Sequence, residues 1–381
     1  IVFDTEAPIQ TPEWLNTIDA TAPTSHVTPL PGTACSAFSV QWSGTDAHSG
    51  VFGYDLLVSD NGGAFTLWLP GRTDASQTFV GEPGHAYAFY SIARDAAGNE
   101  EAAPGAPDAS TNAADPSPVV GSLEPTSGPA GGGNVDLTGN GFLAGLTLSV
   151  GGSPASGLAI TDPQTMSAVF PGLAPGALHD VTATNTGGCG WTFPKAWFAD
   201  FLDVDQAHPF HRFVENIFRK GVTAGCSVGN YCPANPVTRA QMAVFLLKSK
   251  YGAAHVPPTA TGTLFFDVPA SNPFAPWIEQ LANEGITGGC GSGNYCPSNA
   301  VTRSQMAVFL LKSRRGPNLV PPPATGVFAD VPTSSPFAPW IEMLAAEEIT
   351  GGCGGPNYCP GNPVTRGQMA VFLSKTFGYV R

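Results

Sequence analysis

The sequence predicts a multidomain chain with two all-β sandwiches followed by an all-α bundle of three repeats. Three observations carry this prediction: short alternating apolar runs up to about residue 197, a helical pattern that then occurs three times, and cysteine pairs within that pattern. The 381 residues leave room for several separate cores. The expected segments are a lead-in or donor-strand-like stretch at 1–19, sandwiches at 20–115 and 116–197, and repeats at 198–252, 262–315 and 326–381.

Charge and composition exclude several classes of partner. The formal net charge is −13 and only 12% of residues are charged. Nucleic acids and anionic membrane surfaces require clustered Lys and Arg, so we predict neither as a partner. No apolar run reaches the ~18–20 residues of a membrane span. Since the chain begins at Ile1, it is expected to be a mature processed protein or a fragment of a longer one.

Eight cysteines indicate the redox compartment. Six form pairs with five residues between partners: Cys226 and Cys232, Cys290 and Cys296, Cys353 and Cys359. The intervening segments contain Gly and Asn, which allow the tight reversal that a local disulfide needs. The CxxC knuckles and nearby histidines of a zinc site do not occur, so the spacing favours three disulfides and an oxidising compartment. Cys35 and Cys189 are left over, and can bridge two domains, pair elsewhere or be free.

Each repeat is predicted to fold as helix, loop, helix. The second helix follows a T-x-x-Q capping box in every repeat. The capping threonines are Thr238, Thr302 and Thr365. In the second repeat Asn272 is the expected N-cap of the first helix, with Pro276 marking an alternative, later start. Gly285 should end that helix in a left-handed conformation, and Glu348 stands at the same position of the third repeat.

The motifs FxDV, an aromatic helix ending in GITGG, and VTRxQMAVFL together resemble the S-layer homology domain, in three copies over about residues 198–381. The resemblance implies a pseudo-symmetric bundle at the cell surface that binds an acidic, often pyruvylated cell-envelope polysaccharide in grooves between repeats. It assigns ligand contacts to the motif arginines Arg239, Arg303 and Arg366. A guanidinium suits a sugar carboxylate because it can bind two oxygens at once. Trp277 and Trp340 can offer flat apolar faces to sugar rings.

A structural role for the same arginines is the alternative interpretation. Each follows a helix cap and could pair with an acidic residue repeated in the first helices. Those acids are Glu215, Glu279 and Glu342. The sequence also departs from the family pattern, because Gln replaces the glutamate of the motif and Phe213 stands where the other repeats have Trp.

Two further resemblances concern the β-rich half. The strings DAHSGVxGYDL and ARDAAGNE resemble fibronectin type III and bacterial Ig-like modules, and PTSGPxGG followed by GxGF resembles the IPT/TIG module. Both imply Ig-like spacers. Asp46, Asp95 and Asn99 lie near predicted loop ends and are candidate Ca²⁺ ligands, with a role as turn residues as the alternative.

No catalytic constellation is evident, and no cofactor is expected. Ser227 lies in a GxSxG match, but inside a cysteine loop rather than on a strand-to-helix elbow. We therefore predict a non-enzymatic extracellular protein that is anchored to the cell surface through its repeats. The alternative is a self-assembling subunit of an extracellular filament or lattice, in which a segment such as 1–12 donates a strand to the next copy.

Overall fold

The computed structural model describes residues 19–379, and the predicted lead-in before Asp19 lies outside them. Strands run through residue 199 and helices follow from residue 211, which confirms a β-rich N-terminal part followed by helices. The strands are β1 (Thr24–Val27), β2 (Thr33–Cys35), β3 (Ala37–Thr45), β4 (Val51–Asp60), β5 (Thr66–Arg72), β6 (Ser76–Val80), β7 (Ala86–Asp95), β8 (Ala109–Ala114), β9 (Val119–Glu124), β10 (Ser127–Gly128), β11 (Gly133–Asn140), β12 (Thr147–Val150), β13 (Ser153–Pro154), β14 (Ser156–Asp162), β15 (Thr165–Phe170), β16 (Ala177–Thr184) and β17 (Gly190–Ala199). The helices are α1 (His211–Arg219), α2 (Arg239–Tyr251), α3 (Ala275–Asn283), α4 (Arg303–Arg315), α5 (Ala338–Ala346) and α6 (Arg366–Phe377).

Domain one, residues 19–115, consists of two sheets with strand orders β1-β3-β6 and β2-β8-β7-β4-β5. All pairs are antiparallel except β2 with β8. Because alternate residues of a strand face opposite sides, Tyr87 and Phe89 of β7 point to the same buried side. They pack with Trp42 of β3 in one core shared by both sheets.

Domain two, residues 116–199, also has two sheets, with orders β10-β17-β16-β12-β13 and β14-β15-β11-β9. Strand β11 shows the alternation that builds its core, since Val135 and Leu137 are buried while Asp136 between them is exposed. These residues pack with Phe170 and Trp197. The two domains are joined by a disulfide between Cys35 and Cys189, whose Cα atoms lie 5.6 Å apart. The structure thereby selects the interdomain bridge among the three possibilities for these cysteines.

The C-terminal repeats form one helical cluster around a common core. Helix α3 packs on α2, α5 on α4, and α1 on α6, so each first helix lies against the second helix of the preceding repeat and the third repeat closes on the first. None of the helices among residues 19–379 combines the length and apolarity that crossing a membrane requires.

The predicted helix signals are confirmed with one correction. All three capping boxes form. The threonine side chain accepts from the backbone N–H of the glutamine, and the glutamine side chain accepts from the backbone N–H of the threonine. Asn272 is not the N-cap; helix α3 begins later, at Ala275, with Phe274 as its N-cap. The reason is that Asn272 closes a separate turn, in which its side chain accepts from the N–H of Phe274. Gly285 and Glu348 both adopt the predicted left-handed conformation, with φ of 68° and 58°.

The three predicted disulfides are present, each with Cα atoms 6.0 Å apart. Their loops are held by the aspartate of the FxDV motif. In the second repeat the Asp267 carboxylate accepts the backbone N–H groups of Tyr295 and Cys296, both at 2.7 Å. Asp203 and Asp330 make the same pair of bonds in the other repeats. This carboxylate therefore fixes the tyrosine that follows each glycine-rich turn.

Domain two and the first repeat share a buried junction. Trp197 packs in the core of domain two, whereas the next residue, Phe198, packs in the core of the repeats. Arg219 of α1 donates to the carbonyl of Thr126 at 2.7 Å and to Glu215 at 2.7 Å. A fragment that begins at residue 200 lacks Phe198, so we expect it to be less stable than one that begins at residue 116.

A second ion pair at this junction should couple stability to pH. His211 Nε2 lies 2.8 Å from Asp200 Oδ1, and both side chains are largely buried. Burial alone would lower the pKa of His211, but the hydrogen bond and charge of Asp200 raise it above its ordinary value of 6.5. The stabilisation is therefore fully present below pH 6.5 and is lost as pH rises through the raised pKa.

We expect His211→Gln to lower the melting temperature more at pH about 5.5 than at pH about 9, because only the protonated imidazole pairs with Asp200. Thermal unfolding followed by circular dichroism at both pH values measures this difference. His26→Gln, which changes an exposed histidine of β1, is the matched control and should show no such difference. An equal loss at both pH values would contradict the coupling.

Candidate functional site

The three motif arginines occupy the first turn of α2, α4 and α6, directly after the capping threonines. Their backbone N–H groups would be unsatisfied in an isolated helix. Here each donates to a carbonyl of the next repeat: Arg239 to Asn299, Arg303 to Asn362, and Arg366 to Asn235, at 2.9–3.0 Å. The helix N-termini are thus held by neighbouring repeats.

The arginine side chains make the same connection. Arg303 Nε donates to the carbonyl of Tyr358 at 2.8 Å, and its guanidinium lies 4.6 Å from the Tyr358 ring centre. Arg239 and Arg366 make the equivalent contacts with Tyr295 and Tyr231. Repeat one therefore contacts two, two contacts three, and three contacts one.

The tyrosines in turn donate hydrogen bonds to the arginines. Each hydroxyl donates to the backbone carbonyl of the arginine that stacks on its ring, at 2.8–2.9 Å. Burial raises the pKa of the Tyr358 hydroxyl to about 12, so it remains a donor at neutral pH. The tyrosines were not singled out from the sequence, although an aromatic residue before the second cysteine of every loop was a visible signal.

The expected pairing of the arginines with the repeated glutamates is wrong. Glu279 accepts from the backbone N–H groups of Thr261 and Gly262, and Glu342 accepts from Thr325 and Gly326. Glu215 accepts instead from Arg219 and from Ser127 of domain two. Each glutamate thus holds the segment that precedes its own repeat.

The arginines are buried without a direct ion pair in the part of the chain that the structure describes, although the charge of an FxDV aspartate acts on each: Asp267 on Arg239, Asp330 on Arg303 and Asp203 on Arg366. Arg239, Arg303 and Arg366 are only 3%, 4% and 5% exposed. None of them forms an ion pair among residues 19–379. Burial lowers the pKa of each guanidinium, yet an arginine still carries its charge at neutral pH.

Two surface grooves lie over these buried charges. The Arg303 groove, about 310 Å³, is lined by Arg303, the backbone of 350–352, and Gln368 and Lys375 of α6. The Arg366 groove, about 210 Å³, has the equivalent lining, with Lys248 in the place of Lys375. Both grooves are lined by two cationic side chains and no carboxylate.

Beside Phe372 and Phe245 of the second helices, the aromatic residues that line these grooves are Phe210 and Phe274. They precede the first helices at the N-cap position, a role that the sequence analysis missed. Trp277 and Trp340 lie outside both linings and are half-buried against the core of the repeats. Trp340 lies 5.9 Å from the ammonium group of Lys312, and Trp277 a similar distance from the His255 ring.

The candidate calcium ligands of domain one are partly brought together. Carboxylate oxygens of Asp46 and Asp95 lie within 4.8 Å of each other and of Asp19, a residue that the sequence analysis did not name. Asn99 uses its amide to donate to Asp95 at 2.7 Å and to the carbonyl of Asp19. Asp46 accepts the N–H of Gly50 in a turn. A calcium site here stays a prediction beside the role of these residues in turns.

The contacts of Arg366 make it a structural residue whatever it binds. We expect Arg366→Ala to lower the free energy of unfolding by about 2–4 kcal/mol, because it removes buried packing and leaves the carbonyl of Tyr231 without its donor. Chemical denaturation measures this loss. Arg314→Ala, which removes an exposed arginine paired with Glu347, is the matched control and should cost less than about 1 kcal/mol. A triple arginine-to-alanine variant is consequently not expected to keep its fold.

Residues 118–195 match the model of the IPT/TIG domain, and residues 200–243, 265–307 and 327–370 match that of the S-layer homology domain. The chain is 25% identical over 105 residues to a middle cell wall protein of Brevibacillus brevis, covering 27% of this chain and 10% of that protein. It is 41% identical over 56 residues to a cell surface protein of Thermoanaerobacter kivui, covering 15% of this chain and 7% of that protein.

The chain thus spans at most a tenth of the length of these relatives. Among solved structures, the fibronectin(III)-like modules of Clostridium thermocellum CbhA match at 13% identity and a TM-score of 0.21, covering 46% of this chain and 94% of theirs. The matched domains are non-catalytic binding or anchoring modules. The chain therefore carries an IPT/TIG domain followed by three S-layer homology repeats, and its place is the extracellular cell surface.

Proposed function

We propose that the three repeats anchor this protein non-covalently to an acidic cell-envelope polysaccharide, and that the two β-domains serve as Ig-like spacers without enzymatic activity. The observation that carries the proposal is electrostatic. The chain has a net charge of −13, yet each of the two grooves collects two cations and no acid. A groove of this kind favours an anion, because a buried positive charge gains most from a counter-ion that replaces lost water.

The buried guanidinium is the expected contact of a sugar carboxylate. Arg303 uses Nε for Tyr358 and Nη2 for Thr350 and Gly352. Its Nη1 group makes no hydrogen bond with residues 19–379. Lys375 adds a second charge at the same groove, and Phe210 adds an aromatic wall for the apolar face of a sugar. At equivalent or neighbouring positions, the same polymer is proposed to contact Arg239, Trp277 and Trp340.

The names of the similar proteins agree with this proposal, since both are surface or wall proteins. The alternative, a subunit that self-assembles by strand donation, stays a prediction. Its donor segment at 1–12 lies outside the described residues. Negative-stain microscopy of purified protein, without wall material, distinguishes the two because only the self-assembling subunit forms ordered fibres or lattices.

Filling the grooves tests the proposal without removing a structural contact. Val371 and Val244 line the Arg303 and Arg366 grooves and are partly exposed. We expect Val244→Trp/Val371→Trp to weaken sedimentation with native cell-wall sacculi by about tenfold or more, since a lost charge-assisted contact costs about 1.5–3 kcal/mol. The measurement is the bound fraction against sacculus concentration, with thermal unfolding to show that the fold is kept.

Val256→Trp, which adds the same side chain to an exposed linker position, is the matched control and should bind like the wild type. Sacculi stripped of their acidic polysaccharide should bind neither protein. Unchanged sedimentation of the groove-filled variant, or equal binding to stripped sacculi, would contradict the proposal.

A further inference from the structure

A pocket of about 320 Å³ lies at the junction between domain two and the repeats. The lining of this junction pocket consists of Arg212, Phe213, Glu215 and Asn216 of α1, Ser374 and Lys375 of α6, Thr126 of domain two, and Tyr379. Its volume is at the lower end of the ~300–1,000 Å³ typical of small-ligand sites. Unlike the two grooves, it combines the first repeat, the third repeat and a β-domain.

The junction pocket and the Arg303 groove share a lining residue. Lys375 lines both, so one ammonium group stands on the boundary between them. On the facing side, Phe210 lines the groove and Arg212, two residues later, lines the pocket. A linear polymer that passes Lys375 would therefore lie beside both the Arg303 groove and the junction pocket.

In the second repeat the linker lies at the corresponding place. Gln280, which is equivalent to Asn216, is bound by His255 of that linker at 2.8 Å. The same His255 ring lies 5.9 Å from Trp277, which is equivalent to Phe213. The first repeat is preceded by domain two instead, and there Thr126 lies beside Asn216 in the pocket wall. The surroundings of Asn216 therefore differ from those of Gln280, because a folded domain and not a linker precedes the first repeat.

The charge that the pocket presents is positive. Arg212 is exposed, lies 4.6 Å from the Phe213 ring centre, and forms no ion pair within residues 19–379. Lys375 donates one hydrogen bond, to the carbonyl of Glu348, and so keeps two further N–H groups. Glu215 also reaches the pocket, but Arg219 and Ser127 already bind its two carboxylate oxygens.

We propose that the junction pocket is a second subsite for the polysaccharide, which takes an anionic sugar residue of the same chain that occupies the Arg303 groove. The inference rests on the proposed function and extends it to a site built partly by the IPT/TIG domain. The Phe213 ring offers a flat apolar surface, while Arg212 and Lys375 supply donors for a carboxylate. Binding should consequently depend on polymer length.

The test uses the full chain with the other grooves filled by Val244→Trp and, at the equivalent position, Val308→Trp. The probes are oligosaccharides cut from the acidic wall polysaccharide, sized to one and to three repeating units, and calorimetry measures their affinity. We expect Arg212→Ala to weaken binding of the three-unit fragment about tenfold and to leave the one-unit fragment within about twofold. Asn216→Phe, which fills the pocket, should act in the same way.

Arg314→Ala, which removes an exposed arginine of α4, is the matched control and should change neither affinity. If Arg212→Ala and Asn216→Phe leave the affinity for the three-unit fragment unchanged while Val371→Trp abolishes it, the proposal of a second subsite is wrong. The proposed anchoring function then still holds. If the variants lower the affinity for both fragments equally, the proposal that one polymer occupies both the groove and the pocket is wrong. If the wild type binds neither fragment, the anchor itself fails.

Discussion

A closed ring of hydrogen bonds between repeats supports the rest of the C-terminal half. At its centre the backbone N–H of Val237 donates to Val364, Val364 to Val301, and Val301 to Val237, at 2.9–3.0 Å. Around this centre each arginine and tyrosine exchange two bonds across a repeat boundary. Because buried backbone groups must be paired, no repeat can satisfy its own second helix alone, and the three repeats stabilise each other.

The repeated glutamates explain how a folded domain can replace a linker. In the second and third repeats the glutamate holds the backbone of the preceding linker. In the first repeat Glu215 and Arg219 instead hold domain two, and Phe198 enters the core of the repeats. The glutamate position therefore serves two purposes, since it accepts hydrogen bonds from whichever segment precedes its repeat. As a result domain two is packed against the repeats, which restricts the motion that a flexible tether would permit.

Local signals were sufficient to predict much of this structure, whereas contacts between residues distant in the chain could not be predicted from them. The capping boxes, the three short disulfides and the helix end at Gly285 depend on residues within a few positions of one another, so spacing alone predicts them. The bond from Arg366 to Tyr231 spans 135 residues, and spacing instead suggested the nearby glutamates. The three-fold closure was expected only from a family resemblance. Trp277 looked suitable for sugars by chemistry, but the groove linings are set by the N-cap position of Phe274, which depends on where α3 begins.

The proposed binding role of the arginines is compatible with their structural role because their donors can be divided between the two. Nε and Nη2 hold the next repeat, whereas the guanidinium forms no direct ion pair among residues 19–379 and interacts with an FxDV aspartate only at longer range. Taking that charge out of water is costly, and the stacked tyrosine and carbonyl oxygens offset part of the cost during folding. An anion that enters the groove meets a guanidinium already desolvated and fixed in orientation, so less reorganisation accompanies binding. A lysine could not replace it, since a single flexible ammonium cannot divide fixed donors between a neighbouring repeat and a ligand.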